Sequence, residues 1–161
     1  MRRFFALTIV AMTAACSTAD AAPDGVLAEA TKPDPDLPTV LVYKTPTCGC
    51  CNGWVDHMKA AGFVVDARNT TDLMTVKRDG GVPPQMSSCH TAIIDGYVVE
   101  GHVPAEQVKQ LLAERPAVAG IAVPGMPIGS PGMEGPNARP YQVLSFTHAG
   151  EASVFATVDP R

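Results

Sequence analysis

Thr47-Cys48-Gly49-Cys50-Cys51-Asn52 puts three thiols into four positions. Cys48 and Cys51 have the C-x-x-C spacing of a dithiol that exchanges disulfides. Cys50 lies between them, and thiols this crowded suit a soft metal ion. Neighbouring Cys50 and Cys51 make a poor disulfide pair, because Cα atoms only ~3.8 Å apart fall short of disulfide geometry. A second cluster lies forty residues on, at Cys89-His90, with His102 beyond it. Thiolates select Cu(I), zinc or iron–sulfur clusters, and imidazole suits copper and zinc. Two chemistries therefore stand open, thiol–disulfide exchange and metal binding.

The elements that must position these residues follow from local pattern. Thr39–Tyr43 is a short β-branched, apolar run, and Thr45-Pro46-Thr47 ends it at the cysteines. Trp54, Val55, Met58 and Ala61 fall at helical spacing up to Gly62. Phe63–Ala67 reads as a second strand, and Thr70 or Thr71 as the cap of a short helix ending near Gly80. Asp95-Gly96 between Thr91–Ile94 and Tyr97–Glu100 is a hairpin signal. Pro104 starts a helix with Val108, Leu111 and Leu112 on its apolar face, closed by Pro116. Residues 117–140 read as a Gly-, Pro- and Met-rich loop, and Tyr141–Phe146 with Ser153–Val158 as a hairpin turning at His148-Ala149-Gly150.

This order predicts an α/β fold, a thioredoxin-like mixed sheet flanked by helices with the loop and the C-terminal hairpin appended. In such a sheet the third strand starts where the first finishes, so Cys89-His90 should face Cys48–Cys51. It stands where thioredoxins place a cis-proline. The fourth strand returns Gly101-His102 to the same rim. Cys48, Cys50, Cys51, Cys89, His90 and His102 are thus the candidate metal ligands, with free N–H groups of the first helix favouring thiolate. Six soft donors suit more than one Cu(I), whereas structural zinc fixes four and leaves thiols over. Met126 and Met133 either cap a copper site or fill gaps beneath the loop. His57 reads as a solvated helix residue and His148 as a turn residue. Cys89 could alternatively staple to a loop cysteine.

Bulk properties narrow the class. The chain has 161 residues, enough for one domain with a hydrophobic core. Met1-Arg2-Arg3, an apolar run from Phe4 to Ala15 and Ala19-Asp20-Ala21 have the layout of an export signal covering 1–21. Thr13-Ala14-Ala15-Cys16 offers a competing lipid-attachment route through Cys16. Residues 22–38 read as a tether and 39–158 as a single domain. Loss of Arg2, Arg3 and Asp20 takes the formal charge from −4 to −5. An acidic chain without a basic run is a poor nucleic-acid binder. No segment of the mature chain approaches the ~20 apolar residues of a membrane span. There is no G-x-S-x-G elbow, phosphate-cradling glycine loop or paired-carboxylate arrangement.

YKTPTCGCC, VPPQMSSCHTAIIDGYVVEGHVPA, LLAERP and AVPGMPIGSPGME together resemble the small exported CopG-type copper-resistance proteins, from about Val40 to Phe155. These are distinct from the ribbon-helix-helix repressor of the same name. The resemblance implies a periplasmic, thioredoxin-like protein that binds copper, supports copper tolerance and interconverts Cu(I) and Cu(II). It implies metal binding by Cys48, Cys50, Cys51 and Cys89, with other periplasmic copper-handling proteins as partners. His90 and His102 lie in matching segments, and their ligand role rests on the expected geometry. The alternative function is a thiol–disulfide oxidoreductase with Cys48 as nucleophile and Cys51 as resolving thiol. A structural zinc module is a third reading.

Overall fold

The computed structural model describes residues 32–160. The export signal, Cys16 and the first part of the tether lie outside the described residues. Among those described, no helix is long and apolar enough to cross a membrane.

Strand β1 (Val40–Lys44) leads into helix α1 (Gly49–Ala60), followed by β2 (Val65–Asn69) and α2 (Leu73–Asp79). The hairpin β3 (His90–Ile94) and β4 (Tyr97–Glu100) comes next, then α3 (Ala105–Glu114) and β5 (Gly120–Ala122). A second hairpin, β6 (Tyr141–Phe146) and β7 (Ala152–Val158), completes the chain. All strands among the described residues join one mixed sheet of seven, in the order β2-β1-β3-β4-β5-β6-β7. β1 runs parallel to β2 and antiparallel to β3, and α3 is the crossover between parallel β4 and β5.

Local chemistry sets the boundaries. α1 ends because Gly62 adopts φ +97°, so that Phe63 N donates to Met58 O and Gly62 N to Lys59 O. This pair of bonds is the Schellman closure, which needs a residue free of Cβ strain. Asp95 and Gly96 both have positive φ, as a two-residue hairpin turn requires. Asp72, rather than either threonine, caps α2 by accepting from Thr75 N. β2 lies two residues later than the apolar run suggests, because its ladder pairs Val65–Asn69 with all five residues of β1.

Alternation along the strands gives the sheet two covered faces. On one, Val42, Ala92, Val99 and Ile121 pack with Trp54 and Met58 of α1 and Leu111 of α3. On the other, Val98 and Ala122 pack with Met86 and Phe146. The sequence reading missed β5, which lies inside the stretch assigned to loop. Gly120 is needed there, since a Cβ would stand 2.0 Å from Val98 O. The end of the expected tether is also tied down, with Asp34 N bonded to Gly62 O and Leu37 packed on the core.

Candidate metal centre

Three segments meet at one end of the sheet. The β1–β3 ladder pairs Lys44 with His90, so the loop leaving β1 and the residue entering β3 are neighbours. Cys48 caps α1, its Sγ accepting from Cys51 N at 3.4 Å. Cys50 Sγ stands 3.5 Å from Cys48 Sγ and 4.0 Å from Cys89 Sγ. Cys89 Sγ in turn lies 2.8 Å from His102 Nε2 and 3.4 Å from His90 Nδ1. All six residues singled out in the sequence therefore converge. They form two donor groups, Cys48/Cys50/Cys51/Cys89 and Cys89/His90/His102, each with donor atoms within 4.8 Å of one another. Cys89 belongs to both.

Cys48 and Cys51 are joined as a disulfide, while Cys50 and Cys89 are free. The staple considered for Cys89 is not formed. In this oxidation state the C-x-x-C pair offers no thiolate, and the four-thiol group becomes available only on reduction.

The histidines are held as neutral bases. His102 Nδ1 lies 2.7 Å from Pro131 O, which can only accept, so the ring proton sits on Nδ1. Nε2 is left as a lone pair aimed at Cys89, whose S–H donates to it. Burial, then the neighbouring Cys50, pushes the Cys89 thiol up to about 12. A metal entering here would displace that proton. His90 is fully buried between Trp54, at a ring distance of 4.5 Å, and His102 at 5.0 Å. Burial first, then the nearness of a second imidazole, His102, and of the Lys77 ammonium, holds its pKa well below the usual imidazole value. Its Nε2 has no hydrogen-bond partner. The other ring nitrogen, Nδ1, is the one near a thiol, 3.4 Å from Cys89 Sγ, and an imidazole beside a thiol is a donor pair that fits a soft cation.

The Gly/Pro/Met loop presses on the site as well as on the fold. Gly132 touches α1 so closely that a Cβ would lie 2.4 Å from Cys50 O, and Gly53 faces it with equal economy. Glu134 accepts from Gly132 N at 2.8 Å and fixes that turn. Of the two methionines, Met126 is 50% exposed and so plugs no gap. Met133 is half-buried and adjoins Gly132.

Two residues depart from their expected roles or were missed. His57 is half-buried rather than merely solvated, and its Nε2 accepts from Ala105 N at 3.0 Å, capping α3. Its pKa is lowered by burial, against the pull of Glu134. Glu100, fully buried at the end of β4, accepts from Ser88 N and Thr91 Oγ1 and pairs with Lys77. A carboxylate ending an apolar strand two residues before His102 was the available signal. His148 lies exposed in the β6–β7 turn, as expected.

Residues 86–133 match the family model described as "Protein of unknown function, DUF411". No curated protein matches. A solved structure titled "Copper resistance protein copG- Form 2" is 46% identical, with a TM-score of 0.73, over 77% of this chain and all of that one. A second, titled Form 1, is 46% identical with a TM-score of 0.72, over 76% of this chain and 98% of that one. With fold and 46% sequence identity in agreement over the whole of such a relative, the chain belongs to the CopG family of copper resistance proteins.

Proposed function

We propose that this protein is an exported, periplasmic copper-binding protein of copper homeostasis. Cys48, Cys50, Cys51 and Cys89 hold Cu(I) through sulfur, with His90 and His102 as nitrogen donors, and more than one ion is bound per chain. Bound copper supplies one-electron chemistry, through which Cu(I) and Cu(II) interconvert. The chain's own residues place and dry the site: Pro131 sets the His102 tautomer, and Trp54 covers His90. Other periplasmic copper-handling proteins deliver or accept the metal. The observation that carries this reading is the position of Cys89 Sγ, in reach of both the α1 thiols and His102 Nε2. The titles of the two similar structures support copper as the ion.

Anaerobic Cu(I) titration of the reduced protein, with copper counted per chain, tests it. We expect more than one ion per chain and a sharp fall in Cys50→Ser. Unchanged uptake in that variant would overturn the cluster.

The Cys48–Cys51 disulfide favours a second reading, a thiol–disulfide oxidoreductase with Cys48 as nucleophile. It predicts turnover of a disulfide substrate that survives Cys50→Ser. Absence of turnover with both model peptide and protein disulfides removes it.

A further inference from the structure

Lys77 and Glu100 are 4% and 0% exposed, and their charged groups are in direct contact. Removing two charges from water is costly, and replacing such a pair by apolar residues of similar volume is often neutral or stabilising. Stability alone therefore gives little reason for it. What an apolar pair cannot supply is direction. Glu100 accepts from Ser88 N at 2.6 Å and from Thr91 Oγ1 at 2.7 Å, while Lys77 Nζ donates to Thr91 Oγ1 at 3.1 Å.

The bonded groups bracket the donors. Ser88 immediately precedes Cys89, Thr91 immediately follows His90, and Glu100 stands two residues before His102. Gly101 N donates to His90 O, so the same strand ends also meet through the backbone. Thr91 and Glu100 are ladder partners and share a sheet face, whereas His90 points to the α1 face. The clamp thus grips the donor-bearing segments from behind, through Ser88 N and Thr91 Oγ1.

We propose that Lys77 is a positioning residue of the metal centre: by pairing with Glu100 it keeps one carboxylate bonded to Ser88 N and Thr91 Oγ1, which holds Cys89 and His102 within reach of one ion. The inference rests on the metal-binding reading above. Without Lys77 the buried carboxylate lacks its counter-charge, and the Ser88–Cys89 segment must open to let water reach it.

Two variants test this, Lys77→Met and Lys77→Met/Glu100→Gln. In the double variant the amide keeps an acceptor for Ser88 N and a donor for Thr91 Oγ1, with no charge left to compensate. Amide hydrogen exchange is read on the metal-free protein, and Cu(I) affinity by competition with a chromophoric chelator. We expect Lys77→Met to speed Ser88 exchange at least about tenfold, with the Val42 amide unchanged, and to weaken Cu(I) binding about tenfold, the lower end of the range for outer-shell partners. The double variant should recover both. Wild-type exchange at Ser88 in Lys77→Met overturns the proposal, as does a lowered melting temperature with unchanged Cu(I) affinity. If Lys77→Met does not fold, the double variant decides: slow Ser88 exchange supports the clamp, and fast exchange overturns it. Absence of Cu(I) uptake by the wild type would overturn the metal-binding reading instead, while the exchange measurement still decides whether Lys77 fixes the loop.

Discussion

Histidine protonation is where single residues set how this protein responds to acid. His57, His90 and His102 all have pKa values lowered by burial. Two of them also have a geometric reason to stay neutral. His57 Nε2 accepts the Ala105 amide, and His102 Nε2 accepts the Cys89 thiol. An unfolded histidine titrates near ~6.5. As pH falls below that value the unfolded chain takes up protons that the folded chain refuses, so stability is lost. Their contribution is therefore present above ~6.5 and declines as pH drops toward the depressed folded values. Glu100 acts in the opposite sense, since burial raises its carboxyl pKa. Its contribution is present below the usual carboxylate range and lost as pH rises through the raised folded value. The two can be separated with His57→Gln, because a glutamine carbonyl can still accept from Ala105 N. We expect the melting temperature of the metal-free protein to fall between pH 7 and pH 5.5, and to fall less steeply in the variant. Parallel curves would mean that His57 titrates alike in both states.

At the scale of elements, the connection from β5 to β6 acts as the outer wall of the site. It reaches α1 through a glycine pair, Gly53 and Gly132, whose Cα-level contact leaves no room for a side chain. Gly132 also has φ +81°, which other residues adopt only under strain. We expect Gly132→Ala to cost about 1–3 kcal/mol, from backbone strain and forced displacement of the loop. By moving Pro131 away from His102, the same change should weaken copper binding. Urea unfolding and copper competition on the one variant check both effects. A stable variant with native affinity would show that the loop does not wall the site. Much of the order of elements was legible beforehand, because hydrophobic runs, Asp95-Gly96 and Gly62 are local signals. The meeting of Cys89-His90 with Cys48–Cys51 was legible too, once strand directions were assigned. β5 was not, for its three residues sit in an Ala-, Gly- and Val-rich stretch and gain strand character only by pairing with β4 and β6. The roles of His57, Lys77 and Pro131 were hidden for a related reason, since each depends on a partner 14 to 48 residues away.

For the whole molecule, the question is whether the C-terminal strands are an appendage to a four-stranded core or part of what holds it. The sheet continues without a break from β4 through β5 to β6, and Val143 and Phe146 of β6 are fully buried on opposite faces. Full burial of two such side chains contributes roughly 3–6 kcal/mol, at about 1.5–3 each. That is a large share of the ~5–15 kcal/mol that keeps a domain folded. Phe146 also packs with Val98 and Met86, and Met86 lies in the turn that leads to Cys89. Removing β6 and β7 therefore strips the core and loosens the loop that carries a donor. We expect a chain ending at Gly135, which keeps all six donor residues as well as Pro131 and Gly132, to lose cooperative unfolding and most copper uptake. Circular dichroism on heating, with copper counted per chain, reads both. A truncated chain that melted cooperatively and took up copper as the intact protein does would mark the hairpin as an addition, and would place all of the site's support in β1–β5 and the helices.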